Sequence, residues 1–435
     1  MPKVIIIGAG IIGLSSAYYL QEQGWDVTVL EQTDLSDNCS FGNMGYLSPS
    51  HIIPLAAPGM IEQGLLWMFD SKSPFYIRPS LNRQLIDWGL RFMKYCNQEH
   101  VNQSTGPLLN LLLLSKGLFE EWSKAGQMDF DLQQKGCLMY YQTSKKEKAE
   151  LEAAALAEKH GLTVKILDKA QIHAMEPDVR PNVAGGVWYK DDAHLDPAKL
   201  MRQLPSRLEQ SGVTIIKEAK VTGFEQSSKH IKNVLYQKNN TTHSVEADLV
   251  VLAAGSWSPE LARLANTKIP LMPGKGYSMD VKGLSSTLNY PCILVEAKVA
   301  LTPWADRLRI GSTMEIGPIN NHIMLKRAQG ILEAVPRFLP KFQEDPVFNS
   351  FQNHLTKAPS GDAVRDKVWF GFRPVSADGM PIIGYASSSD NLIIATGHAM
   401  LGLSLGPGTG KLVAELANNS TTSIPIQAFS VQRFS

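Results

Sequence analysis

Val4-Ile5-Ile6-Ile7-Gly8-Ala9-Gly10-Ile11-Ile12-Gly13 decides the fold of this chain. Four apolar, mostly β-branched residues read as a buried parallel strand, and they run straight into G-x-G-x-x-G. Gly8 permits a tight turn, Gly10 lets the backbone approach a pyrophosphate, and Gly13 lets the following helix pack on the strand. Gly13 to Gln23 reads as that helix, ended by Gly24, and Asp26–Leu30 as a second strand. The free N–H groups at the helix start, with the positive end of its dipole, favour phosphate. Glu31 closes the second strand where a carboxylate accepts hydrogen bonds from a ribose 2′-OH, and its charge weighs against a 2′-phosphate and so against NADP.

A chain of 435 residues with 44% hydrophobic and 19% charged residues suits a folded protein of two lobes. Its 42 Lys and Arg balance 41 Asp and Glu, which leaves no general field for nucleic acid. Cys39, Cys96, Cys137 and Cys292 form no C-x-x-C pair and no zinc-like cluster, so no metal is expected and a reducing cytoplasm fits. Cys39 is expected to be a buried, inert thiol. The apolar start could pass for a secretory signal, but three spaced glycines and Glu31 have no use in a cleaved segment. Nothing approaches 18 uninterrupted apolar residues, so no membrane span is expected.

Residues 36–60 read as a long Ser-, Asn-, Gly- and Pro-rich loop, and Met60 to Asn97 as an aromatic-rich stretch containing Trp67, Met68, Phe69 and Trp88. Helices are expected near 107–125, 145–160 and 409–418, and one beginning at Asp196-Pro197. Strands are expected at 136–143, 185–190, 213–216, 248–252, 277–281, 293–295, 308–311 and 392–395. Nucleotide-type elements thus recur at the start, middle and end, with antiparallel-looking strands between. The expected fold is α/β (α+β overall): a discontinuous Rossmann-like nucleotide-binding lobe from 1–50, 146–165, 196–265 and 370–435, and a second lobe from 51–145, 166–195 and 266–369.

Four further stretches carry chemistry. Ser40-Phe41-Gly42-Asn43-Met44-Gly45-Tyr46-Leu47-Ser48-Pro49-Ser50-His51 could bring backbone and amides to the edge of a flat cofactor, or be a surface turn. Val250 to Trp257 is a strand ending in the small residues Ala253, Ala254 and Gly255, which would let it approach a dinucleotide. Trp369-Phe370-Gly371-Phe372-Arg373-Pro374 holds an arginine between aromatic residues and proline. Its guanidinium suits a bidentate grip on a carboxylate, or a structural pair with Asp378. Gly397 to Lys411 brings five glycines to a helix start whose dipole would favour the negative charge of a reduced flavin. His398 within it reads as pocket wall, substrate hydrogen-bonder or packed core imidazole. Bound NAD would leave the 40–50 loop and the C-terminal glycines without a purpose; FAD gives both one.

Taken in order, GAGIIG at 8–13, Glu31, SFGNMG at 40–45, VVLAAGSWSP at 250–259, RLRIGSTME at 307–315, FGFRPVSADGMPIIG at 370–384 and GHAMLGLSLGPGTG at 397–410 resemble the D-amino-acid oxidase superfamily of FAD enzymes. Within it the likeness is nearest to bacterial D-amino-acid dehydrogenases, including the branch acting on D-hydroxyproline-type substrates. The resemblance implies FAD contacts from Gly8, Gly10, Ile11, Ile12, Gly13, Glu31, Gln32, Ser40, Asn43, Gly45, Tyr46, Leu47, Val221, Ala253, Ala254, Gly255, Trp257, Gly397, His398, Met400, Gly402, Leu403 and Ser404. It also implies that Arg373 holds the substrate carboxylate, with His398, Tyr277 and His51 around it. The implied reaction is hydride transfer from the Cα of a small amino acid, a D-amino acid or D-proline analogue, to flavin N5, with electrons leaving to a quinone or other carrier. A glycine- or sarcosine-type amine oxidase using oxygen and a flavin protein without turnover stand as alternatives. Met400 occupies a place where relatives of the oxidase type carry an additional arginine, which touches substrate identity and not reaction class. The aromatic segment 65–95, with Arg78, Arg83 and Arg91, reads as peripheral contact with the inner face of the cell membrane or as a core-packing insertion.

Overall fold

A computed structural model describes residues 1–62, 64, 72–78 and 82–434. Trp67, Met68 and Phe69 lie outside these described residues. The opening motif forms the Lys3–Ile7 strand, the Ile11–Glu22 helix and the Asp26–Leu30 strand. Every residue from Val4 to Ile7 is buried, so the strand tolerates only apolar side chains. It sits within a six-stranded sheet ordered 382–385, 392–396, 249–252, 3–7, 26–30, 214–216. All neighbours are parallel except the first pair, with Ile5 beside Val250 on one side and Thr28 on the other. Strands drawn from both ends of the chain thus close one Rossmann-like layer. A three-stranded antiparallel sheet, Lys220–Ser227, His230–Lys238 and Thr241–Glu246, flanks it; its many exposed polar positions hid it from an apolar-run reading.

The second lobe is a nine-stranded mixed sheet built on the long Leu271–Lys282 strand, which pairs antiparallel with Arg307–Ile316 and with Trp369–Ser376. Three assignments of the expected lobe division change. The Ser144–Lys159 helix packs on this sheet and Val164–Asp168 pairs with Gly185–Tyr189 in it, so 146–165 joins the second lobe. Residues 370–376 belong there too, through their ladder with 271–278. Conversely, the Gln98–Lys124 helix packs on the nucleotide lobe, where Trp122 meets the rings of Tyr18 and Tyr19 at 5.0 and 6.1 Å. That helix begins nine residues before the expected 107, because Asn97 caps it and Pro107 is accommodated inside.

The C-terminal glycines have a packing role that composition did not reveal. The helix starts at Gly406, and a Cβ on Gly406, Gly408 or Gly410 would fall 2.6 Å from Ile11, 2.9 Å from Ser115 and 2.4 Å from the Ser15 backbone. These glycines let three helices approach closely.

Candidate active site

A cavity of about 940 Å³ runs along the C-terminal ends of the parallel strands and opens against the nine-stranded sheet. Ala219, Lys220 and Val221 line it at one end with Glu31 and Gln32, the Gly8–Ile12 turn and Ala253–Trp257 line its middle, and Arg373, His398 and Met400–Ser404 its far part. Gly8 takes φ +104°, and a Cβ there would meet the Ala253 carbonyl at 2.7 Å, so the turn lies flush against the neighbouring strand. Glu31 is buried; one carboxylate oxygen accepts from the Ala9 N–H at 2.8 Å and the other from the Thr33 N–H and hydroxyl at 2.9 Å. Its position therefore depends on the turn it closes.

The 40–45 loop is held by the opposite lobe. Ser278 donates to the Gly42 carbonyl at 2.6 Å and Thr302 to that of Met44 at 2.7 Å. Arg309, fixed by a bidentate pair with Asp280 at 2.7 and 2.8 Å, donates to the Phe41 and Asn43 carbonyls. Gly42 lies under Trp369, with 2.0 Å between a hypothetical Cβ and the indole. Asn43 bonds Ser40 and Gly45 within the loop, so its side chain shapes the turn. Cys39 receives the Phe372 N–H at 3.2 Å and lines the cavity half-buried, not fully buried as expected; desolvation pushes its thiol up to about 11.

Arg373 is the most informative residue of the cavity. No described carboxylate pairs with it: Asp378, the structural partner considered above, is held by Arg433 at 2.6 and 3.1 Å. Burial without a counter-ion pulls its pKa down to about 10, so it stays cationic at neutral pH. Its guanidinium crosses over Gly276, where a Cβ would stand 2.1 Å from Nη1, and donates to the Thr313 carbonyl at 2.5 Å. Thr313 adopts φ +74°, an outlier for a β-branched residue, next to a register shift between its strand and Lys275–Tyr277. That strained backbone aims the carbonyl. Gly276 and Thr313 were missed from sequence; the small-residue alternation Gly274, Gly276, Ser278 was the available signal.

Two buried polar atoms without a protein partner belong to residues lining this cavity, His398 Nδ1 and Thr313 Oγ1. His398 is neutral, since burial takes its pKa to about 3, and its Nε2 is 3.0 Å from the Thr409 hydroxyl. Tyr277 lines the cavity, but its hydroxyl is engaged elsewhere. Its hydroxyl donates to Glu315 at 2.6 Å and accepts from the Met324 N–H at 2.9 Å, and its ring belongs to the core behind the sheet. Strand alternation turns the Tyr277 hydroxyl away from the side that Gly276 and Ser278 share, while Tyr277 still borders the cavity. Gly13, Gly45, Leu47 and Gly397 stand behind the wall, not on it. Gly13 packs on the Gly8 carbonyl, Gly45 on that of Leu195, Gly397 on Ile382, and Leu47 is core. The remaining residues of the expected FAD set line the cavity.

The residues fit an adenine dinucleotide: a glycine turn against a helix start, a fixed acidic acceptor beside it, small residues at the strand end, and orphaned polar atoms at the far wall. No helix among the described residues is long and apolar enough to cross a membrane, and they hold no group of three metal-ligating side chains.

The sequence model of a family described as "DAO: FAD dependent oxidoreductase" matches residues 3–416. The D-amino acid dehydrogenase of Vibrio atlanticus is 28% identical over 438 residues, covering 99% of this chain and 100% of that protein. The D-amino acid dehydrogenase of Helicobacter pylori is 29% identical, covering 96% and 95%. Among solved structures, glycine oxidase from Geobacillus kaustophilus superposes with a TM-score of 0.74 at 20% identity, covering 100% of this chain and 99% of that one. L-proline dehydrogenase from P. horikoshii gives 0.72 at 19% identity, covering 100% and 97%.

Proposed function

The chain belongs to the FAD dependent oxidoreductase family, and from that premise we propose that it oxidises a small amino acid at Cα as a dehydrogenase. The observation carrying this reading is Arg373, a half-buried guanidinium with no carboxylate partner among the described residues, projecting over Gly276 in the cavity. A monocarboxylate substrate would supply the missing counter-ion in bidentate geometry. FAD, when bound, supplies the acceptor for the two electrons leaving the Cα–H bond. Gly8–Ile12, Glu31, Val221 and Ala253–Trp257 would hold its adenosine and pyrophosphate, and Ser40–Tyr46 and Met400–Ser404 would flank its reactive ring.

Arg373 fixes the carboxylate, so one face of Cα is presented in a single orientation, and positioning of this kind accounts for much of a rate. Thr313 Oγ1 and His398 Nδ1 offer further polar contacts at that end. The dehydrogenase assignment and the D-configuration follow the curated relatives and the resemblance of the motifs. Delivery of electrons to a membrane quinone is supported by the Arg83–Tyr95 helix, which exposes Ile86, Leu90 and Met93 beside Arg83 and Lys94. A cytoplasmic enzyme touching the inner membrane face is the corresponding location.

Anaerobic mixing of the FAD-loaded protein with D- and L-amino acids, proline analogues and N-methylglycine tests the reading. Loss of the flavin colour with at least one amino acid, followed by faster reoxidation with quinone in anionic vesicles than with air, is expected. Colour that persists with every amino acid would reject the reading, and prompt peroxide formation in air would turn the dehydrogenase into an oxidase.

A further inference from the structure

The cavity carries a hydrogen-bonded chain that the substrate clamp does not use. Asp192 is 1% exposed, and no described Lys, Arg or His forms an ion pair with it. Among the described residues its two oxygens accept from Ser50 alone, Oδ1 from the backbone N–H at 3.0 Å and Oδ2 from the hydroxyl at 2.6 Å. The same hydroxyl oxygen lies 3.1 Å from Nδ1 of His51. His51 lines the cavity, and its Nε2 makes no hydrogen bond to the described residues. An ionised Asp192 only accepts, so Ser50 donates to it and its oxygen receives Nδ1–H from His51. That order leaves the Nε2 lone pair facing the cavity as an acceptor.

We propose that His51 takes the ammonium proton of the bound amino acid and that Ser50 passes the equivalent of it to Asp192. The inference rests on the amino-acid reading above. An N–H bond of the ammonium breaks as Nε2–H forms; Nδ1–H then breaks as a Ser50 O–H forms, and the original Ser50 O–H breaks as Asp192 O–H forms. No electrons change hands, and the amine is left neutral, the state from which Cα can release hydride. The chain resets through the same imidazole once the product leaves and water re-enters the cavity.

The charged surroundings suit a transient store. Around Asp192 stand Asp191, Lys116, Cys137 and Tyr189, and the Lys116 ammonium is held by Glu120 at 2.7 Å. Burial raises the Asp192 carboxyl to about 7, so it is ionised at pH 8, and the seated ligand, displacing water from the cavity beside the chain, raises it further and holds the relayed proton there. Burial and the nearby Lys298 ammonium lower His51 to about 4, so the imidazole conducts a proton without keeping it. Lys298 lines the same cavity and is itself pulled down by burial, with Lys146, Glu150 and Glu296 around it.

The test is calorimetric titration of the FAD-loaded protein with 2-aminoisobutyrate, which has the carboxylate and amine but no Cα–H to lose. Performed in two buffers of different ionisation heat, it counts protons released. At pH 8 the wild type should release close to none, while Asp192→Asn and Ser50→Ala should each release about one per site, since neither can store it. Asp192→Asn keeps an acceptor for the Ser50 N–H, so the turn survives. At pH 6, where Asp192 already carries a proton, the wild type should also release about one. Release of about one proton by all three proteins at pH 8 overturns the relay alone. Absence of saturable heat from the wild type overturns the relay and the amino-acid reading together.

Discussion

Arg373→Ala should keep its full complement of FAD and lose about 30- to 900-fold in kcat/KM, most of it through KM. The range is a loss of about 2–4 kcal/mol, the scale for removing a charge-assisted bidentate contact, converted at tenfold per 1.36 kcal/mol. Retention of flavin follows because the nearest protein contact of the guanidinium is the Thr313 carbonyl in the substrate lobe, away from the glycine turn. Arg373→Lys should recover little of the loss, since an ammonium lacks the planar fork. Gly276→Ala should lower activity in the same direction with Arg373 intact, because its Cβ would lie 2.1 Å from Nη1 and displace the guanidinium. Steady-state kinetics on preparations matched for flavin absorbance measure all three; wild-type kcat/KM in Arg373→Ala would remove the residue from the site.

Gly13→Ala should give a protein that neither purifies with flavin nor takes it up on reconstitution. The added methyl would sit 1.9 Å from the Gly8 carbonyl oxygen and 3.0 Å from its carbon. Both are backbone atoms of the turn, and Gly8 is already pressed on Ala253. Helix and strand must therefore separate, which opens the turn that would meet the pyrophosphate. Gly117→Ala is the control: it lies in the Gln98–Lys124 helix away from the cavity, and its Cβ would meet no atom beyond the helix backbone within 4 Å. The ratio of visible to ultraviolet absorbance should fall to baseline in the first variant and stay near wild type in the second. Stoichiometric flavin in Gly13→Ala would mean that the turn does not serve this cofactor.

The nucleotide layer was legible because each of its signals is local: Ile5 to Ile7 must be buried, Gly8 must turn, Glu31 must end the next strand. The same holds for Arg373, whose aromatic and proline neighbours mark a fixed side chain. What could not be read depends on pairing across long separations. Val164–Asp168 looks like any short strand until Gly185–Tyr189 lies beside it, and only then does 146–165 leave the nucleotide lobe. Tyr277 borders the pocket, but the partner of its hydroxyl is set by register and by Glu315, 38 residues away. The C-terminal glycines were read for their N–H groups, whereas Gly406, Gly408 and Gly410 face Ile11, Ser115 and Ser15, contacts made by elements far apart in the chain. Asp192 and Ser50, 142 residues apart, carried no sequence signal at all.

The most direct measurement is a titration of the FAD-loaded protein with a small non-oxidisable carboxylate such as acetate or benzoate, followed through the visible flavin bands, in wild type and in Arg373→Met. A carboxylate seated on Arg373 beside the ring should perturb those bands saturably in the wild type and leave them unchanged in the variant at equal flavin content. Equal, saturable perturbation in both proteins would contradict the assignment of this cavity as a flavin site with Arg373 as its carboxylate anchor.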